Sequence, residues 1–171
     1  MRVGLFGGSF DPAHEGHAHV AETALKRLGL DRVWWLVSPQ NPLKPKSGPF
    51  EQRFASAQAR AQGSAMVVTD LEKRLSCAFT YETLRKLKRL YRGVDFFLVM
   101  GADNLLHFRK WRNWREVAQA VPVVVVSRPG AGARGRFRAP KGWVFLSGRH
   151  HPQSSTALRA RRAAVAKPSR K

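Results

Sequence analysis

The run Gly7-Gly8-Ser9-Phe10-Asp11-Pro12-Ala13-His14-Glu15-Gly16-His17 places two glycines just ahead of two imidazoles spaced three residues apart. Glycines let a backbone come close to an anion, and a helix starting after them would add unpaired N–H groups and a partial positive charge. Histidines three apart at the start of such a helix face one ligand and can donate to phosphate oxygens. The segment therefore reads as a phosphate-binding turn. It lacks the Gly-Lys-Ser/Thr of a P-loop, and Gly4-Leu5-Phe6-Gly7-Gly8 does not fit the G-x-G-x-x-G dinucleotide fingerprint. His14-Glu15-Gly16-His17 also misses the four-residue histidine spacing of H-E-x-x-H zinc proteases. Two blander readings stand beside the phosphate one: a metal on His14, His17 and His19, or a single histidine that caps the helix or bonds in the core.

Such a turn needs a strand before it and a helix after it. Arg2 to Phe6 is a short apolar run closed by the glycines, which predicts a buried strand. Ala18, Ala21, Leu25 and Leu28 follow helical spacing from Gly16 onward, with Gly29 as C-cap. Further strands are predicted at 33–37, 65–68, 94–100, 121–126 and 144–146, and further helices at 50–61, 80–90, 111–120 and from Ser154. The strand at 121–126 is apolar throughout, which implies burial on both faces. Residues 38–49, with four prolines, and the Gly- and Arg-rich 128–141 read as loops. This alternation predicts a single α/β domain over residues 1–163, a mainly parallel sheet with right-handed crossovers and helices on both faces, and a basic disordered tail at 164–171. In such a sheet, ligands bind beyond the carboxyl ends of the strands at the topological switch point, which the first strand borders.

Composition agrees. The 171 residues are 43% hydrophobic and 10% aromatic, enough for one core without staples. Cys77 is the one cysteine, which excludes an internal disulfide and a multi-cysteine zinc site and suits a reducing cytoplasm. Neither a signal-type segment nor an apolar run of membrane-span length is present in the sequence. The formal charge of +20 points to anionic partners, and from Val117 onward no Asp or Glu occurs. That basic third reads either as a solvated tail or as a field that draws in polyphosphate.

G-G-S-F-D-P-x-H-x-G-H resembles the signature of the adenylyl- and cytidylyltransferase superfamily, whose H-x-G-H element contacts nucleotide phosphates. From about residue 2 to about residue 159 the chain resembles the bacterial nicotinate-mononucleotide adenylyltransferases. The resemblance implies a Rossmann-like doubly wound fold. It assigns Gly7, Gly8, Ser9 and Phe10 to ATP and phosphate binding and gives His14 and His17 catalytic roles. Lys44, in Ser38-Pro39-Gln40-Asn41-Pro42-Leu43-Lys44, would face the reacting phosphates. Arg128 would lie along the ATP side. Ser154-Ser155-Thr156-Ala157-Leu158-Arg159 would bring hydroxyls, amides and the Arg159 guanidinium to the triphosphate at a second helix N-terminus. For the mononucleotide, the resemblance assigns Thr80 with its neighbouring amides to the nicotinate end, Asp103 to ribose hydroxyls or loop order, and Trp111 rather than Trp114 to the pyridine ring. After Arg159 the chain departs from the family by running into a basic tail where members usually continue with an aromatic helix.

The implied reaction joins nicotinate mononucleotide to the AMP part of ATP, giving deamido-NAD and pyrophosphate. Mg²⁺ accompanies ATP, no protein-held metal is expected, and a homo-oligomer is left open. Nicotinamide mononucleotide or another phosphorylated acceptor such as phosphopantetheine is the alternative substrate. A nucleic-acid-binding module on an inactive fold of this type is the remote alternative; the tail lacks the repeated aromatics of a stacking platform.

Overall fold

The computed structural model describes residues 1–39, 47–127 and 142–148. Six strands form one parallel sheet: β1 (Arg2–Gly8), β2 (Arg32–Val37), β3 (Met66–Thr69), β4 (Asp95–Gly101), β5 (Val123–Ser127) and β6 (Val144–Ser147). Their order across the sheet is β3-β2-β1-β4-β5-β6. This is the doubly wound Rossmann order, whose switch point falls between β1 and β4. β1 is central. It pairs with β2 from Val3↔Arg32 to Gly8↔Val37 and with β4 from Arg2↔Asp95 to Phe6↔Val99.

Alternating side chains divide the core between the two faces of the sheet. Leu98, Met100, Val123 and Val125 join Leu84 and Leu87 of helix α4 (Thr80–Leu90) and Val117 of α6 (Trp114–Ala120). Val99, Val124 and Val126 join Ala18, Ala21 and Ala24 of α1 (Glu15–Leu28) and Ala57 of α2 (Phe50–Arg60). Helices thus cover both faces, and Val123 to Val126 of β5 are buried, as their run of apolar side chains requires. Gly29 ends α1 in the left-handed region at φ 57°, and its amide and that of Leu30 return to the Leu25 carbonyl.

The sequence misses two short helices, α3 (Leu71–Arg74) and α5 (Ala102–Leu105), and it misplaces a third. Where periodicity predicts a helix at 111–120, a turn of 3₁₀ helix (Phe108–Lys110) stops at an extended Trp111, and Asn113, at φ 51°, opens α6 only at Trp114. An asparagine tolerates this left-handed backbone, so the break falls there. β1 also continues to Gly8, two residues past the predicted end, and β5 begins two residues later than predicted. The predicted helix at Ser154, the loop at 128–141 and the tail lie outside the described residues.

Candidate active site

A cavity of about 250 Å³ opens at the carboxyl ends of β1 and β4. Gly7, Gly8, Ser9, Phe10 and His17 line one end of it, and Thr80, Trp111, Lys110 and Arg112 line the other. Residues from three sequence segments, 7–17, 80 and 110–112, therefore share one cleft at the switch point.

The first end is built on Phe10. Its backbone sits at φ 47°, a strained region for a non-glycine residue, and its ring is buried. Edge-on and tilted contacts to Phe6 (5.5 Å), His17 (5.1 Å) and Trp35 (5.1 Å) hold the ring in place. A Cβ at residue 8 would come within 3.1 Å of that ring, so any other residue there would press on Phe10. At Gly7 a Cβ would meet no protein atom within 4 Å. What the missing side chain leaves clear there is backbone approach from the cleft.

His14 is the N-cap of α1, and its amide donates to His17 Nδ1 at 3.1 Å. Because Nδ1 accepts an N–H, the imidazole proton of His17 belongs on Nε2. His17 is thereby set as a donor in the cleft wall. His14 is buried behind it, ring centroids 3.8 Å apart, and does not itself line the cleft.

Arg53 of α2 ties this end together, although nothing in the sequence reading singled it out. Its guanidinium donates to the carbonyls of Gly48 (2.8 Å), Ser9 (2.8 Å), Ser38 (2.8 Å) and Pro39 (2.8 Å). Burial pulls its proton affinity down, and Asp11 opposes this. Asp11 in turn accepts from the Gly48 amide at 3.0 Å, and the Ala13 amide donates to Ser56 Oγ at 2.9 Å. One sequence signal could have found Arg53: it stands beside Phe54 on the face that buries Ala57, where a lone arginine is out of place.

At the second end, Glu82 of α4 accepts from the Ala78 (3.0 Å) and Phe79 (3.2 Å) amides. These bonds hold its carboxyl below the usual range against the opposing effect of burial. The helix N-cap is Phe79, so Thr80 is not a cap and lines the cleft as the first helical residue. Trp111 and Trp114, which the predicted helix would have put on one face, part company. Trp111 lines the cleft, while the Trp114 ring carries the guanidinium groups of Arg109 (5.9 Å) and Arg115 (4.8 Å). Asp103 is exposed on α5 and its neighbour Asn104, not Asp103, lines the cleft.

Glu72 bridges the two ends from below, also unforeseen. Its Oε1 lies 3.0 Å from the Thr83 hydroxyl, and it bonds the Ser38 hydroxyl as well. Burial pushes this carboxyl up against the effect of those two bonds. Cys77 is buried beside it and its thiol is pushed up chiefly by burial, which makes it unreactive. Lys44, Arg128, Ser154, Ser155, Thr156 and Arg159 lie outside the described residues. Among the described residues no cluster of three or more His, Cys, Asp or Glu could hold a metal ion, and no helix is long and apolar enough to cross a membrane.

Comparison with known proteins agrees with this geometry. The cytidylyltransferase-like family matches residues 5–161. A "Probable nicotinate-nucleotide adenylyltransferase" of Caulobacter sp. (strain K31) is 48% identical, the match covering 94% of this chain and 98% of the relative. One of the same name from Cereibacter sphaeroides is 54% identical over 80% of this chain and 72% of its own length. The Plasmodium falciparum nicotinic acid mononucleotide adenylyltransferase, solved in complex with NaAD, shares the fold at TM-score 0.73 and 17% identity, covering 93% of this chain and 82% of that one. A sheet of order 3-2-1-4-5-6, a glycine and histidine turn at its switch point and relatives of this identity place the chain in the cytidylyltransferase-like family, among the nicotinate-nucleotide adenylyltransferases.

Proposed function

We infer that this protein transfers the adenylyl group of ATP to nicotinate mononucleotide, giving deamido-NAD and pyrophosphate in NAD biosynthesis. The observation that carries this reading is the two-ended cleft, which sets an anion-binding turn and His17 opposite an aromatic and cationic end with Trp111 and Thr80. The relatives' names supply the matching reaction.

The mononucleotide 5′-phosphate is the nucleophile and attacks the α-phosphorus of ATP in line. As it is already an anion at neutral pH, no general base is needed. The barrier falls through positioning and through charge stabilisation at the pentavalent phosphorus and the leaving pyrophosphate. In this mechanism the His17 Nε2–H donates to the phosphoryl oxygens, and His14 holds it there through the amide bond to Nδ1. Gly7, Gly8, Ser9 and Phe10 form the phosphate side of the cleft. Lys44, Arg128, Arg159 and the Ser154, Ser155 and Thr156 hydroxyls are assigned by resemblance to the triphosphate. Trp111 stacks on the pyridine ring, Thr80 meets its carboxylate, and Asp103 orders the α5 segment beside the ribose. Among the described residues there is no carboxylate cage, and a magnesium ion brought by the triphosphate would supply neutralisation of the polyphosphate charge. A cytoplasmic location fits the soluble substrates.

The test is turnover of the purified protein with ATP and nicotinate mononucleotide, followed by chromatography of the dinucleotide and measurement of pyrophosphate. Formation of deamido-NAD in step with pyrophosphate is expected, and no dinucleotide from this acceptor would overturn the reading.

A further inference from the structure

The acid and amide forms of the mononucleotide have nearly the same shape and differ by one negative charge. Stacking on Trp111 sees only the ring and cannot separate them. The N-terminus of α4 favours an anion, but Glu82, which accepts from the Ala78 and Phe79 amides just ahead of the helix, is a carboxylate and opposes a second one nearby. A full positive charge at this end of the cleft therefore adds to the choice of the acid.

We propose that the Arg112 side chain is that charge and sets the preference for the acid over the amide, a role that rests on the function proposed above. Arg112 lines the cleft next to Trp111, and its guanidinium lies 4.9 Å from the centroid of the Phe79 ring, the residue that immediately precedes Thr80. The contact joins the wall that carries Trp111 to the wall that carries Thr80. A guanidinium packed on a ring is shielded on one face and keeps its N–H edge for a carboxylate, to which it can donate two parallel bonds. Phe79 is itself stacked on Tyr81 at 6.1 Å, and Arg85 covers Tyr81, so the platform beneath Arg112 is fixed from the far side. The extended backbone at Trp111 and the left-handed Asn113 put Arg112 at this point; a helix through 111–120 would have turned it away. Lys110 is the other cation in the lining, but it offers a flexible point charge without such a platform.

The experiment compares kcat/KM for nicotinate and nicotinamide mononucleotide at saturating ATP in the wild type, Arg112→Met, Arg112→Lys and Lys110→Met. Methionine keeps the apolar packing on Phe79 and removes the charge. The acid-to-amide ratio is expected to fall about tenfold to a hundredfold in Arg112→Met, the range of a charge-assisted hydrogen bond, through a higher KM for the acid with the amide unchanged. Arg112→Lys should recover part of the ratio, and Lys110→Met should keep it within about twofold of wild type. An unchanged ratio in Arg112→Met, an equal loss with both substrates, or an equal fall in Lys110→Met overturns the assignment to Arg112 while leaving the proposed function standing. A wild type that forms neither dinucleotide overturns both. Because Arg112 is exposed, unaltered circular dichroism is expected of each Arg112 variant, and a folded Arg112→Lys protects the test should Arg112→Met fail to fold.

Discussion

The two ends of the cleft are held by different means. At the phosphate end, Arg53 alone binds four carbonyls from three chain segments, and Asp11 and Ser56 add bonds of the same kind. At the pyridine end, the walls are a 3₁₀ turn, the extended Trp111 with the turn after it, and the start of α4, joined by ring contacts such as Phe108 to Trp111 at 5.3 Å. Donors that meet developing charge must be in place before reaction, since reorganising them would return the gain. A surface that recognises one ring needs contact area, with a charge only where the ring carries one. On the function proposed above, chemistry and substrate choice are thus housed apart, and changes at one end should move different observables from changes at the other.

The largest effect is expected from Arg53→Met, which leaves the carbonyls of Ser9, Ser38, Pro39 and Gly48 without their buried donor. A loss of about 3–5 kcal/mol in urea unfolding is expected, as for breaking a buried charged network. Stability within about 1 kcal/mol of wild type would mean that the loop is not held by this residue. Next is His17→Ala, expected to lower kcat by about 10², equivalent to about 2.7 kcal/mol of transition-state stabilisation, with little change in the KM for the mononucleotide. Steady-state kinetics decides: near-normal kcat removes His17 from the chemistry and with it the division between the two ends.

The glycine and histidine turn beside the cleft was legible in the sequence because its groups are contiguous: Gly7, Gly8, His14 and His17 sit in one run whose spacing has a direct geometric meaning. The parallel sheet with helices on both faces followed from βα alternation. What holds the run in place was not legible, because Arg53 reaches partners as far as 44 residues away and only the fold brings them together. Helices of four residues such as α3 and α5 are too short to show a period, so no pattern announces them. The pattern at 111–120 misled for a related reason. Apolar spacing there is compatible with a helix, and the left-handed Asn113 that interrupts it is a backbone choice that periodicity does not see. Glu72 looked like any surface acid of a charged segment until β2 and α4 closed over it.

The same break sharpens the comparison at the pyridine end. Trp111→Ala should raise the KM for nicotinate mononucleotide about tenfold with kcat within about threefold, from lost ring contact. Trp114→Ala, which removes a ring that packs with Arg109 and Arg115 and does not line the cleft, should leave that KM within about twofold. Equal effects from the two in initial-rate kinetics would mean that the rings act as one cluster rather than as a binding face and a support.

The smallest effect concerns Glu72, which bonds Ser38 on the phosphate side and Thr83 on the pyridine side and so belongs to both ends. Burial raises its folded-state pKa above the ordinary glutamate value, so the folded protein holds this proton to higher pH than the unfolded chain does. Its stability contribution is therefore complete below the ordinary value and is lost as pH rises from there through the folded value. Glutamine keeps the shape and cannot ionise. The stability of Glu72→Gln relative to wild type should thus be constant in acid and increase as pH rises through that window. Urea midpoints of the two proteins, measured side by side from about pH 4 to pH 8, give this difference directly. A difference that stays flat across the range would show that the carboxyl ionises as readily in the folded protein as in the unfolded chain, and that the hydroxyls of Ser38 and Thr83, rather than burial, govern it.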